Sequence, residues 1–99
     1  MAAAEPNLDR FLHAIADPTR RRILHALKEK GRASIGKETG LCASDIEQRL
    51  KLAQPTISHH MRILVKANLV EAKRQRHWQW YRRNEKFIAE MLRELRRQL

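Results

Sequence analysis

The feature that most constrains this chain is a pair of helix starts set close together in its middle. Ser44-Asp45-Ile46-Glu47 reads as a capping box, in which the Ser44 hydroxyl and the Glu47 carboxylate each satisfy a backbone donor at a helix N-terminus. Pro55, following Gln54, suits the first turn of another helix, where a missing N–H costs nothing. The helix between these signals has room for only about two turns, burying Ile46 and Leu50. Behind Pro55, apolar residues recur at Ile57, Met61, Leu64 and Val65, and Asn68 suits the left-handed position that ends a helix. Two such helices joined by a few residues form a helix-turn-helix, here over about 44–68.

With Ile57 at the centre of the buried face and a rotation of about 100° per residue, His59, Arg62 and Lys66 project outward with Pro55 among them. Thr56 and Ser58 flank that stripe, and His60 turns toward the core. The exposed face is therefore polar, basic and rich in hydrogen-bonding groups.

The flanking segments complete a mainly α fold with one small β-hairpin, in the order α-α-α-α-β-β-α. Leu8, Phe11, Leu12 and Ile15 predict a first helix behind Asn7 as N-cap, running to about Ala16. Asp17-Pro18 starts the next, which buries Ile23, Leu24 and Leu27, carries Arg20, Arg21 and Arg22 in its first turns and ends at Gly31. Gly31 to Gly40 reads as a loop. Val70 to Arg74 and Trp78 to Arg82 predict a hairpin around Gln75-Arg76-His77, placed as a wing over about 70–82, with Trp78 and Trp80 packing on the helix before it. A last helix over about 84–98 carries the stripe Phe87, Ile88, Met91, Leu92, Leu95 and Leu99, with Arg93, Arg96 and Arg97 outside it.

At 99 residues the expectation is one domain spanning 1–99. Its 21 Lys and Arg against 11 Asp and Glu leave a formal charge of +10, which makes a polyanion the natural partner. No apolar run approaches the roughly 18 residues that cross a bilayer, and the Met1-Ala2-Ala3-Ala4-Glu5-Pro6 start lacks the pattern of a signal peptide, so a cytoplasmic, nucleoid-associated protein is expected. The single Cys42 allows no internal disulfide and reads as a small, partly buried apolar residue. No nucleophile–base pair, paired carboxylate or phosphate loop can be assembled, so the chain is not expected to be an enzyme.

Ala16-Asp17-Pro18-Thr19-Arg20-Arg21-Arg22-Ile23-Leu24, Gln54-Pro55-Thr56-Ile57-Ser58-His59-His60-Met61, Leu69-Val70 and Trp78-Gln79-Trp80-Tyr81-Arg82 together resemble the ArsR/SmtB family of bacterial winged helix-turn-helix repressors. The resemblance covers nearly the whole chain. It implies a homodimer built from the first and last helices, bound to an imperfect palindrome and released by a metal or another inducer. The chain departs from the family at the inducer sites. Where relatives carry Cys-x-Cys, Cys42-Ala43-Ser44 lacks one thiolate, and the last helix offers Glu85, Glu90 and Glu94 but no histidine. No metal site, cofactor or identified inducer is therefore expected, while an intermolecular Cys42 bond stays open.

On double-stranded DNA, the candidates for reading base edges in the major groove are Gln54, Thr56, Ser58, His59 and Arg62. Lys73, Arg74, Arg76 and His77 at the wing are candidates for phosphates or the minor groove. Leu8, Phe11, Ile88, Met91, Leu92 and Leu95 are the candidate dimer interface. Two other functions fit part of the pattern: a non-specific nucleic-acid-binding or chromosome-organising protein, and a protein-interaction module using the last helix.

Overall fold

The computed structural model describes residues 5–33 and 41–99. Its elements are α1 (Glu5–Ile15), α2 (Pro18–Ala33), β1 (Leu41–Cys42), α3 (Ala43–Leu50), α4 (Gln54–Lys66), β2 (Val70–Gln75), β3 (Trp78–Arg83) and α5 (Glu85–Gln98). The expected winged helix-turn-helix is present, with corrections at several boundaries.

α1 begins at Glu5, so Asn7 lies inside the helix instead of capping it. α2 starts as expected, with Asp17 Oδ2 accepting the Arg20 N–H at 3.0 Å, and continues through Gly31 to Ala33. The rest of the expected loop, residues 34–40, lies outside the described residues.

The largest difference is β1. Leu41 and Cys42 pair antiparallel with Tyr81 and Trp80, which makes a three-stranded sheet of order β1-β3-β2. That pairing holds Cys42 extended, at φ −84° and ψ 167°, so α3 can start directly behind it. The N-cap is therefore Cys42 and not Ser44, and the reciprocal carboxylate is Asp45 and not Glu47: Asp45 Oδ2 accepts the Cys42 N–H at 3.2 Å.

α3 ends at Lys51, which takes φ 56° and donates its N–H to the Glu47 carbonyl at 2.7 Å. α4 ends in a Schellman arrangement around Asn68 at φ 66°. The Leu69 N–H reaches the Leu64 carbonyl and the Asn68 N–H reaches that of Val65, both at 3.0 Å, and the buried Leu64 and Leu69 complete the hydrophobic contact of that motif. The hairpin is tighter than expected. Gln75 pairs with Trp78, which leaves only Arg76 and His77 in the turn, with Arg76 at φ 56°.

Asn84 caps α5 by accepting the Phe87 N–H at 3.2 Å. The core gathers Leu8 and Phe11 of α1, Ile23 and Leu27 of α2, Ile46 of α3, Ile57, Met61 and Leu64 of α4, and Met91 of α5. α1 and α5 thus pack on each other within one chain. Leu8, Phe11 and Met91, expected at a dimer interface, are consumed by that packing at 4%, 2% and 6% exposure. Ile88 and Leu95 are half-buried at its edge, whereas Leu12, Leu92 and Leu99 face outward.

Candidate nucleic-acid interface

The side chains of α4 divide as the 100° rotation requires. Ile57, Met61 and Leu64 are buried, while Gln54, Pro55, Thr56, His59, Arg62 and Lys66 are exposed. Ser58 is half-buried, and its hydroxyl receives Gln54 Nε2 at 3.3 Å across one helical turn. Gln54 and Ser58 therefore begin as a hydrogen-bonded pair. Arg62 and Ser58 line a cleft between α4 and the sheet, together with Met61, Val65, Ala72 and Tyr81.

That cleft corrects the expected role of Trp80. Tyr81 pairs with Ala72 and shares its face of the sheet, so it is the aromatic residue beside α4. Trp80, one residue earlier, lies on the opposite face by strand alternation, beside its partner Lys73. The side chain of Trp78 lies outside the described residues. Burial against α4 raises the Tyr81 phenol above its ordinary pKa.

Lys73, Arg74, Arg76 and His77 are all exposed on the distal part of the hairpin. The ion pair described on this hairpin joins Arg82 to Glu71 at 2.9 Å, nearer its base. Among the described residues no carboxylate neutralises Lys73, Arg74 or Arg76.

His60 turns inward, as expected, and meets a group that the sequence did not single out. Arg20 of α2 is 7% exposed. Its Nε donates to the Ala14 carbonyl at 2.6 Å and its Nη2 to the His13 carbonyl at 3.1 Å, closing the C-terminal turn of α1. Its Nη1 lies 3.2 Å from His60 Nδ1. Because a guanidinium only donates, Nδ1 is the acceptor, and His60 is a neutral imidazole with its proton on Nε2. Burial pushes the His60 pKa below its ordinary value, helped by the Arg20 and His59 charges and opposed by Asp17. Asp17 Oδ2 is 3.9 Å from His60 Nδ1, and its carboxyl pKa is lowered chiefly by the Arg20 N–H that it accepts. One arginine therefore ties the end of α1, the start of α2 and the middle of α4 together.

Cys42 is buried, with its Sγ–H directed to Asp45 Oδ2 at 3.1 Å and Ser44 Oγ also at 3.1 Å. Among the described residues no three His, Cys, Asp or Glu side chains converge on a common point. Nor does any described helix have the length and apolarity needed to cross a membrane.

The family model for bacterial regulatory proteins of the arsR family matches residues 17–72, from the start of α2 into β2. An arsenical resistance operon repressor of Staphylococcus aureus is 34% identical over 55 residues, covering 56% of this chain and 53% of the repressor. The chain spans about half the length of the curated relatives it matches. Among solved structures, an ArsR-like transcriptional regulator from Rhodococcus is 26% identical with a TM-score of 0.74, covering 96% of this chain and 81% of that one. The homodimeric winged helix-turn-helix DNA-binding domain of a possible ArsR-family regulator from Mycobacterium bovis is 25% identical with a TM-score of 0.71, covering 92% of this chain and 77% of that domain. With the model covering more than half of its residues and the same fold running through nearly all of the rest, the chain belongs to the arsR family of bacterial regulatory proteins.

Proposed function

We propose that this chain is a sequence-specific, double-stranded DNA-binding transcriptional repressor that acts in the cytoplasm as a homodimer on a palindromic operator. The observation that carries the reading is the exposed face of α4, where His59, Arg62 and Lys66 stand outward beside a hairpin whose Lys73, Arg74 and Arg76 have no ion-pair partner among the described residues. A helix of this width enters the major groove, where Arg62 can pair with guanine and Gln54 with adenine once it leaves Ser58. Thr56 and His59 supply further hydrogen-bonding groups, and Lys73, Arg74 and Arg76 follow the phosphates.

The dimer interface moves to the surface that the fold leaves open. Leu12 of α1 is 37% exposed, and Leu92 and Leu99 of α5 are 51% and 97% exposed, with Ile88 and Leu95 half-buried beside them. Half-sites on one face of a duplex lie about 34 Å apart, the separation at which a two-fold dimer must present its α4 helices.

Selection of bound DNA from a random duplex pool tests the reading. A palindromic consensus supports it, and equal retention of all sequences overturns it in favour of a non-specific chromosome-organising protein. Sedimentation tests the assembly. Leu92→Asp with Leu99→Asp, both at exposed positions, is expected to yield folded monomers that lose operator binding, and a wild type already monomeric while bound tightly to a palindrome refutes the dimer.

A further inference from the structure

A second basic surface lies away from the exposed face of α4 and from the hairpin. α2 and α3 enclose a cleft of about 580 Å³ in which Arg21, Arg22 and His25 of α2 face Arg49 of α3 above Pro18 and Leu50. Among the described residues no carboxylate lines it. The three arginines are exposed, and among the described residues none of them is ion-paired.

Two of these arginines are nevertheless held in place. Arg22 Nη2 donates to the Leu50 carbonyl at 3.3 Å, and Arg21 Nη1 donates to the Ile15 carbonyl. Each guanidinium carries five N–H donors, so most remain unused and directed by the anchored ones. Like charges converging on a concavity repel one another, and low-dielectric walls concentrate their field, so a bound oxyanion would offset that repulsion. Arginine forks match the tetrahedral oxygens of phosphate bidentately, a geometry in which lysine would act only as a point charge.

We propose that the α2–α3 cleft is a phosphate-binding site built by Arg21, Arg22 and Arg49. Leu50 is the last residue of α3, so the cleft adjoins the turn into α4. Its ligand is a phosphate group, supplied either by the DNA backbone beyond the bases that α4 reads or by a free phosphorylated molecule.

The full-length wild-type chain is titrated with inorganic pyrophosphate while the arginine Nε–Hε resonances are followed. Those of Arg21, Arg22 and Arg49 are expected to shift together, well beyond those of Arg93 and Arg96 on α5, which serve as exposed controls. In parallel, Arg21→Gln with Arg49→Gln is compared with wild type for the salt dependence of binding to a random-sequence duplex, which requires neither a palindrome nor a dimer. Arg22 is left intact because it anchors the α3 carboxyl end.

A salt slope lower by about one per protomer assigns the site to a backbone phosphate. An unchanged slope with pyrophosphate binding lost in the variant assigns it to a free molecule. Pyrophosphate shifts no larger at the cleft than at Arg93 and Arg96, together with an unchanged slope, overturn the proposal, and the titration arm stands even if the variant folds poorly.

Discussion

Replacing Arg20 by Met removes the guanidinium while keeping most of the apolar stem, and so isolates the hydrogen bonds from the packing. Three acceptors lose a guanidinium N–H: the Ala14 carbonyl, the His13 carbonyl and His60 Nδ1. The Ala14 carbonyl belongs to the last turn of α1, beyond the reach of its intrahelical donors, whereas the His13 carbonyl keeps the Ala16 N–H at 3.3 Å. A hydrogen bond from a charged donor contributes about 1.5–3 kcal/mol, and the low end applies because water can reach the partly exposed members. The two carbonyl bonds then give a loss of about 3 kcal/mol, roughly a hundredfold in the unfolding equilibrium. Urea denaturation should show a lower midpoint with an unchanged slope, since no surface is newly exposed in the unfolded chain. Arg20→Lys should recover only part of the loss, because one ammonium cannot span acceptors on α1 and α4 at once. A loss below about 1 kcal/mol for Arg20→Met would refute the claim that this side chain ties the three helices together.

His60 is neutral in the fold and its pKa lies below the ordinary 6.5, so its contribution is complete above that pH and is lost as pH falls from there toward the lowered value. Wild type should therefore lose more stability than His60→Gln between pH 7 and pH 5 in denaturant titrations, and parallel profiles would disprove the assignment. Arg62→Ala and His59→Ala should each weaken operator binding by about 1–3 kcal/mol and leave random duplex nearly untouched, as measured by fluorescence anisotropy on both DNAs. Arg74→Ala and Arg76→Ala should weaken all sequences alike and reduce the salt slope by about one for each phosphate contact removed, and an unaltered slope places them in free solvent.

Several local signals suffice on their own, although Asn7 does not cap α1 and Gly31 does not end α2. Pro18 and Pro55 open helices, Asn68 closes one, and the Ile57 period places His59 and Arg62 outside and His60 inside. What escaped depends on partners distant in sequence. Cys42 displaces Ser44 as N-cap only because Trp80 pairs with it, and two residues carry too little alternation to announce a strand. Arg20 looks like one member of a basic run until the fold brings His60, 40 positions on, to its Nη1. Periodicity identified the apolar stripes of α1 and α5, but a stripe does not say whether it meets its own chain or a second one. Leu8, Phe11 and Met91 went to the first use, leaving Leu12, Leu92 and Leu99 on the surface. Trp80 misleads for a related reason: it is the more conspicuous aromatic, yet register gives the α4 side to Tyr81.

The dipeptide Leu41–Cys42 belongs to two machines at once, being the edge strand on β3 and the residue from which α3 unwinds. Hairpin and helix pair are thereby riveted, and within a protomer they behave as the jaws of a caliper with a set opening. Such a tool measures a groove well and adjusts to it poorly. Under the dimer proposal, tolerance for operators of different half-site separation then falls on the junction between protomers, where the exposed Leu92 and Leu99 lie. The same rivet carries load in reverse, because a twist applied at the tip around Arg76 and His77 runs down β3 to Trp80 and pulls on the first turn of α3.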